Sequence, residues 1–183
     1  MRNSTLKNQP CYDKDGNFLG WFSRSVAVVV FVFRVKNDKL QVMLEKRGKG
    51  CPDNVGKWCS VCGYLEFDET IEEAAAAEAF EETGFIIDKE RLFFEGISSD
   101  PKDNHQNVSV RFCYYAKEDE DFDISRRKGG EKDEVDCIEW LTLYDKATDY
   151  TYDFSDREFA FDHDKIIKSI LTKFVSVLKA NFY

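Results

Sequence analysis

The run from Gly63 to Phe85, GYLEFDETIEEAAAAEAFEETGF, constrains the fold of this chain more than any other stretch. Its second half spells a helix with both ends marked. Thr70 can cap the first turn while Glu73 reaches back to it, and Gly84 supplies the left-handed stop. Between these signals Ala74 to Ala77 are strong helix formers, and no β-branched residue follows them until Thr83. Glu78, Glu81 and Glu82 stand at i, i+3 and i+4, so the spacing predicts a single acidic cluster on one helix face. Like charges so placed repel, and the position one turn before Glu81, where a cation would relieve them, is Ala77. A bound divalent cation would resolve the repulsion. An all-carboxylate set suits a hard ion, Mg²⁺ or Mn²⁺, rather than zinc.

The same run resembles the signature of the Nudix hydrolases: Gly, five residues, Glu, seven residues, then Arg-Glu-aliphatic-any-Glu-Glu-any-Gly-aliphatic. Here it reads Gly63, Glu69, Ala77, Glu78, Ala79, Phe80, Glu81, Glu82, Thr83, Gly84, Phe85. The resemblance implies an α/β chain with the Nudix-type α/β/α sandwich around a mixed β-sheet. It implies Glu78, Glu81 and Glu82 as catalytic and metal-holding residues, the Gly63 carbonyl as a further ligand, and Mg²⁺ or Mn²⁺ as cofactor. The implied activity is that of a pyrophosphohydrolase, cleaving the diphosphate linkage of a nucleoside diphosphate derivative such as ADP-ribose, a nucleotide sugar or a dinucleotide. Glu69 is expected to support the loop rather than touch substrate. Two positions depart from the pattern. Ala79 for a larger aliphatic is a modest packing change. Ala77 replaces the arginine that in the family holds the carboxylates in position, so the expectation is a weakened hydrolase or the recruitment of another cation, Arg47 or Arg111. Three glutamates alone would read as a solvated acidic face; Gly63, Glu69 and Gly84 at their family spacings argue against that.

With 183 residues and 43% hydrophobic content, the chain can bury a real core. Residues 1–24 read as an N-terminal tail with a hairpin, and 25–183 as one domain. A formal charge of −9 argues against a broad nucleic-acid or anionic-membrane surface. The six cysteines, without a signal peptide, read as reduced thiols of a cytoplasmic protein. Val26 to Phe33, the most apolar run, is far too short to span a bilayer.

In chain order, Asp15-Gly16 marks a turn between Cys11-Tyr12 and Phe18 to Phe22; the surrounding aspartates lack the closing Glu of a calcium loop. Val26 to Val35 and Leu40 to Leu44 read as a hairpin, and Glu45-Lys46-Arg47 closes its second strand. Arg47 is a candidate substrate-binding residue, with a solvated strand end as the alternative. Cys59-x-x-Cys62, with Cys51 as a third ligand, raises zinc, but in a regular strand the two would point to opposite faces, and small buried thiols are the preferred reading. After the helix come strands at Leu92 to Ile97 and Val108 to Ala116, joined by a Ser-Asp-Pro loop holding His105, a candidate for substrate contact. This pattern resembles ADP-ribose pyrophosphatases of the same family. Lys117 to Asp136 reads as a charged mobile loop from which family members take another carboxylate, and Glu131 and Glu134 are the candidates here. Cys137 to Leu143 reads as a strand and Tyr144 to Thr148 as a short helix. A last helix opens near Phe159, with Ile166, Ile167, Ile170, Leu171, Phe174, Val177 and Leu178 on its apolar side and His163 packed or capping.

Two rival functions remain beside hydrolysis. One is a catalytically weakened or inactive Nudix-like module that binds a nucleotide, which Ala77 favours. The other is an isopentenyl diphosphate isomerase, whose cysteine motif is not evident. The expected partner is a nucleotide-containing small molecule, with no nucleic acid and no membrane. A homodimer formed through the N-terminal strands is in keeping with the resemblance.

Overall fold

The structure, a computed structural model, describes residues 7–127 and 133–181, with the side chains of the last helix described only as far as residue 173. Two short strands, β1 (Gln9–Tyr12) and β2 (Phe18–Phe22), pair with each other in a separate antiparallel hairpin. Its turn is built by Asp13, whose Oδ1 accepts the N–H groups of Asp15 and Asn17 at 2.9 and 2.8 Å, with Gly16 at φ +84°. The aspartates there serve the turn.

The main sheet starts with β3 (Ser25–Lys36) and β4 (Lys39–Arg47), joined through Asn37 and Asp38, both at positive φ. That left-handed pair matches the twist of the strands it connects. There follow β5 (Trp58–Cys59), β6 (Val61–Tyr64), helix α1 (Ile71–Thr83), β7 (Phe93–Ser98), β8 (Asn107–Ala116), β9 (Val135–Asp145), β10 (Tyr150–Thr151) and helix α2 (His163–Asn181). The strands lie in the order β10-β9-β4-β3-β8-β7, with β5 added to β4 and β6 to β3. Only β3 and β8 run parallel among these pairings; the others are antiparallel, which makes the sheet mixed.

Alternation along β3 divides the core in two. Val29, Phe31 and Phe33 face one side and pack with Ile167, Ile170 and Leu171 of α2. Val30 and Val32 face the other and pack with Ala75 and Ala79 of α1 and with Phe85. A helix on each face of a mixed sheet is the expected α/β/α sandwich. Phe174, Val177 and Leu178 lie outside the described side chains.

Two local expectations change. No helix forms over Tyr144 to Thr148: β9 runs on to Asp145, whose carboxylate accepts the Ala147 N–H at 3.0 Å, and Asp149 at φ 53° turns the chain back into β10. Helix α2 begins at His163 because Phe161 and Asp162 stand at positive φ.

The sheet opens in one place, and that opening positions the site. β3 pairs with β4 only from Phe33 to Lys36; below this point the two strands part, β6 taking the β3 edge from Ala27 to Val30 and β5 the β4 edge at Glu45 and Lys46. Ser60 breaks the chain between β5 and β6.

Candidate active site

Helix α1 lies against this opening with the expected ends. The Thr70 side chain accepts the Glu73 N–H, the Glu73 carboxylate accepts the Thr70 N–H at 2.9 Å, and Gly84 stands at φ 70°. The small side chains of Ala74, Ala75 and Ala79 are buried, so the helix backbone comes close to the strands. Glu69 accepts the Glu66 N–H at 2.9 Å, which holds the loop entering the helix.

The three helix glutamates divide by depth. Glu82, one of the helix's buried residues at 7% exposure, points under β6 and accepts the Cys62 N–H at 3.2 Å. Glu78 lies over Gly63 so closely that a Cβ built there would fall within 3.0 Å of both carboxylate oxygens; only glycine leaves room for them. Glu81 is half-buried beside them. Burial, with Glu81 and Glu134 next in effect, pushes the Glu78 carboxyl up to about 7, against the pull of the Tyr64 backbone N–H. Burial and Glu45 hold the Glu82 carboxyl well above the usual carboxylate range.

Glu45 belongs to this cluster, although sequence reasoning treated it as the end of a strand. Two residues past Met43, it shares the α1 side of β4, and it is 2% exposed. It lies in hydrogen-bonding contact with Glu82, and the Cys59 thiol donates to its Oε1 at 3.4 Å. Its Oε2 is buried without a hydrogen-bond partner among the described residues. The signal was present in the alternation of β4, where a carboxylate takes a core-facing position.

Of the loop carboxylates, Glu134 reaches the site and Glu131 lies outside the described residues. The backbone of Glu134 is pinned by Gly48, whose N–H donates to its carbonyl at 2.5 Å, and by the Cys51 thiol at 3.1 Å. Arg47 pairs with Asp53 at 3.0 Å and faces the Phe161 ring, and its charge also reaches Glu45. Arg111 is paired with Glu95 at 2.9 Å. His105 is exposed in the loop between β7 and β8, and no hydrogen bond ties it to the glutamates among the described residues. His163 is buried at 2% exposure, its Nδ1 accepting the Ser60 N–H at 3.0 Å, so it packs.

The break at Ser60 resets the strand alternation, and Cys59 and Cys62 become neighbours: the Cys62 thiol is the first cause of the raised Cys59 pKa, ahead of burial. With Cys59 engaged by Glu45 and Cys51 by the Glu134 carbonyl, the thiols are packed groups. Among the described residues no three His, Cys, Asp or Glu side chains already converge as metal ligands. The donors gathered here are hard carboxylate oxygens crowded enough to repel, a set that fits Mg²⁺ or Mn²⁺. Among nearby aromatic side chains, Phe112 and Tyr114 are core and Trp58 packs against it, whereas Tyr64, beside Gly63, is exposed.

No helix among the described residues is long and apolar enough to cross a membrane. The chain is similar in structure to a MutT/nudix family protein from Enterococcus faecalis, with a TM-score of 0.68 and 21% identity over 88% of this chain and 66% of that one. It is similar to the NUDIX domain of Shewanella oneidensis NrtR complexed with ADP ribose, at TM-score 0.62 and 19% identity, covering 89% of this chain and 94% of that one. A third likeness is to a bifunctional NMN adenylyltransferase/ADP ribose pyrophosphatase from Francisella tularensis complexed with AMP and Mn ion, at TM-score 0.61 and 22% identity, covering 82% of this chain but 42% of that one. The chain thus spans about two thirds of the Enterococcus protein and under half of the Francisella one. The family model of the NUDIX domain matches residues 23–162, and with the signature helix set against the opened sheet, the chain belongs to the Nudix family.

Proposed function

We propose that the protein is a metal-dependent pyrophosphohydrolase acting on the diphosphate linkage of a nucleoside diphosphate derivative. The observation that carries this reading is Glu78 seated on Gly63 with its carboxyl pushed up to about 7 among Glu81, Glu134, Glu45 and Glu82. Glu78, Glu81, Glu82 and Glu134, with the Gly63 carbonyl, would hold Mg²⁺ or Mn²⁺, which when bound supplies the positive charge a diphosphate needs before water attacks phosphorus. Glu78, on the same helix face, either completes that metal shell or accepts the proton of the attacking water. Glu82 is oriented by the Cys62 N–H, and Tyr64 stands exposed at the rim where a base could stack. Two of the similar proteins are described with ADP ribose or AMP bound, which supports an adenine nucleotide as the first substrate class to try.

The test is product release from a panel of nucleoside diphosphate derivatives, with and without Mg²⁺ or Mn²⁺, beside a Glu81→Gln, Glu82→Gln double variant. Metal-dependent cleavage lost in the variant is the expected result. A specific observation favours a second reading, a nucleotide-binding module without turnover: Glu45 touches Glu82 deep in the fold, and a proton shared between them would keep Glu82 from a metal. A compound that binds and raises thermal stability without being cleaved would select it.

The same proposal includes a homodimer. Tyr12, Phe18, Leu19, Trp21 and Phe22 of the hairpin are each more than half exposed. An isolated two-stranded hairpin is marginal in water, and a second copy is the occupant that would cover this apolar surface.

A further inference from the structure

Five carboxylates crowd one site, and Ala77 leaves the helix without its own cation to steady them. The segment before β9 provides one. Asp123 starts a short 3-10 turn, Ile124–Arg126, with its side chain accepting the Ser125 N–H at 3.0 Å, and its carbonyl rests against Gly84, where an added Cβ would fall within 3.0 Å of it. The turn is therefore seated on the C-terminal end of α1. From that seat the Arg127 Nε donates to the Glu81 carbonyl at 3.1 Å. The last turn of α1 carries no basic residue of its own, so this guanidinium is its charge complement as well as its cap. The charge of Arg127 also reaches Glu45 on the far side of the cluster, where it favours the ionised carboxylate. Arg47 reaches Glu45 too, but it is held by Asp53 and, among the described residues, makes no hydrogen bond to the helix that carries the glutamates.

We propose that Arg127 is a positioning residue for the carboxylate site: it fixes the last turn of α1 through the Glu81 carbonyl and brings to the cluster the cation that Ala77 does not supply. The inference rests on the reading of that cluster as a metal centre. It also revises the sequence-based expectation that Arg47 or Arg111 would be recruited. Arg111, on β8, is committed to Glu95.

The test measures Mn²⁺ affinity directly, by the electron paramagnetic resonance signal of the free ion, in the wild type, Ala77→Arg, Arg127→Gln, Arg127→Lys, and Arg127→Gln combined with Ala77→Arg. Turnover of the nucleotide panel is followed separately. Loss of a residue that orients metal ligands from outside costs about ten- to a hundredfold in metal affinity, and Arg127→Gln is expected to fall in that range. Arg127→Lys keeps the charge without the planar donor fork and should recover only part of the loss. Ala77→Arg should restore at least tenfold in the Gln background and change the wild type little. A merely structural Arg127 would lower thermal stability in proportion to the loss and would not be rescued from position 77. That outcome overturns the proposal, as does Mn²⁺ affinity unchanged in Arg127→Gln or absent from the wild type. If Arg127→Gln does not fold, the Lys variant decides alone: full wild-type affinity overturns the proposal, and a partial loss at unchanged thermal stability upholds it. Wild-type protein that binds Mn²⁺ but cleaves nothing would end the hydrolase reading and leave the role of Arg127 to the titration.

Discussion

Gly63 and Glu78 form the tightest fit in the site, and the fit is one-sided. An added methyl at 63 meets the far end of a flexible side chain rather than backbone, so the fold can yield by moving the carboxylate. Gly63→Ala should therefore cost less than about 1 kcal/mol in urea unfolding, within the range of mild substitutions. It should lower metal-dependent turnover about a hundredfold, the scale of an ångström's misplacement of a catalytic group. Equal losses in both measurements would refute this assignment. His163 is a contrasting residue, buried away from the carboxylates to pack and to accept the Ser60 N–H. Burial is the first cause that drops its pKa to about 3, while in the unfolded chain it titrates near 6.5. Below pH 6.5 the unfolded chain takes up a proton that the folded chain refuses until about pH 3, so this residue's contribution to stability falls as pH drops through that window. The slope approaches about 1.4 kcal/mol per pH unit. His163→Gln should flatten the stability profile between pH 6 and 4 by up to that amount, read from denaturant midpoints at each pH.

Among the elements, α1 was the most legible, because its two caps, its alanines and its glutamates are all local signals. What local spacing did not reveal was depth. Glu78, Glu81 and Glu82 share a helix face as expected, yet the sheet opening draws Glu82 under β6 and leaves Glu81 nearer the surface. Glu45 and Arg127 were illegible for a related reason: one is a charge at the end of a strand and the other a charge in a charged run, and only the tertiary approach of β4 and the 3-10 turn to α1 gives them meaning. The helix end offers its own test. Gly84 combines a left-handed backbone with contact against the Asp123 carbonyl, which is backbone and cannot swing aside. The conformation alone costs a side chain roughly 1–2 kcal/mol. Gly84→Ala should exceed this in equilibrium unfolding and should also weaken Mn²⁺ binding, because it lifts the turn that carries Arg127. A loss confined to the conformational cost would show that the turn is not firmly seated.

For the whole molecule, hydrophobic alternation in β3 and the amphipathic start of α2 foretold a sheet with a helix on each face. The β3–β4 hairpin was readable from its turn, but the other pairings of the main sheet were not, since they depend on contacts across longer stretches of chain. The proposed homodimer belongs to this scale, with the β1–β2 hairpin as its interface. Trp21→Ser combined with Phe22→Ser should convert a dimer to a monomer by size-exclusion with light scattering, and an unchanged mass would remove the hairpin from the interface. The parallel pairing of β3 with β8 carries a further cost, borne before the protein is finished. Ser25 cannot meet Asn107, nor Arg34 meet Ala116, until the later strand has left the ribosome. At about 5–20 residues per second, the uncharged, β-prone run Val26 to Phe33 waits on the order of ten seconds with one edge open. Production of this chain in quantity is therefore a contest between strand capture by β8 and capture by another nascent copy, and slower, cooler synthesis or a waiting chaperone should decide it in favour of soluble protein.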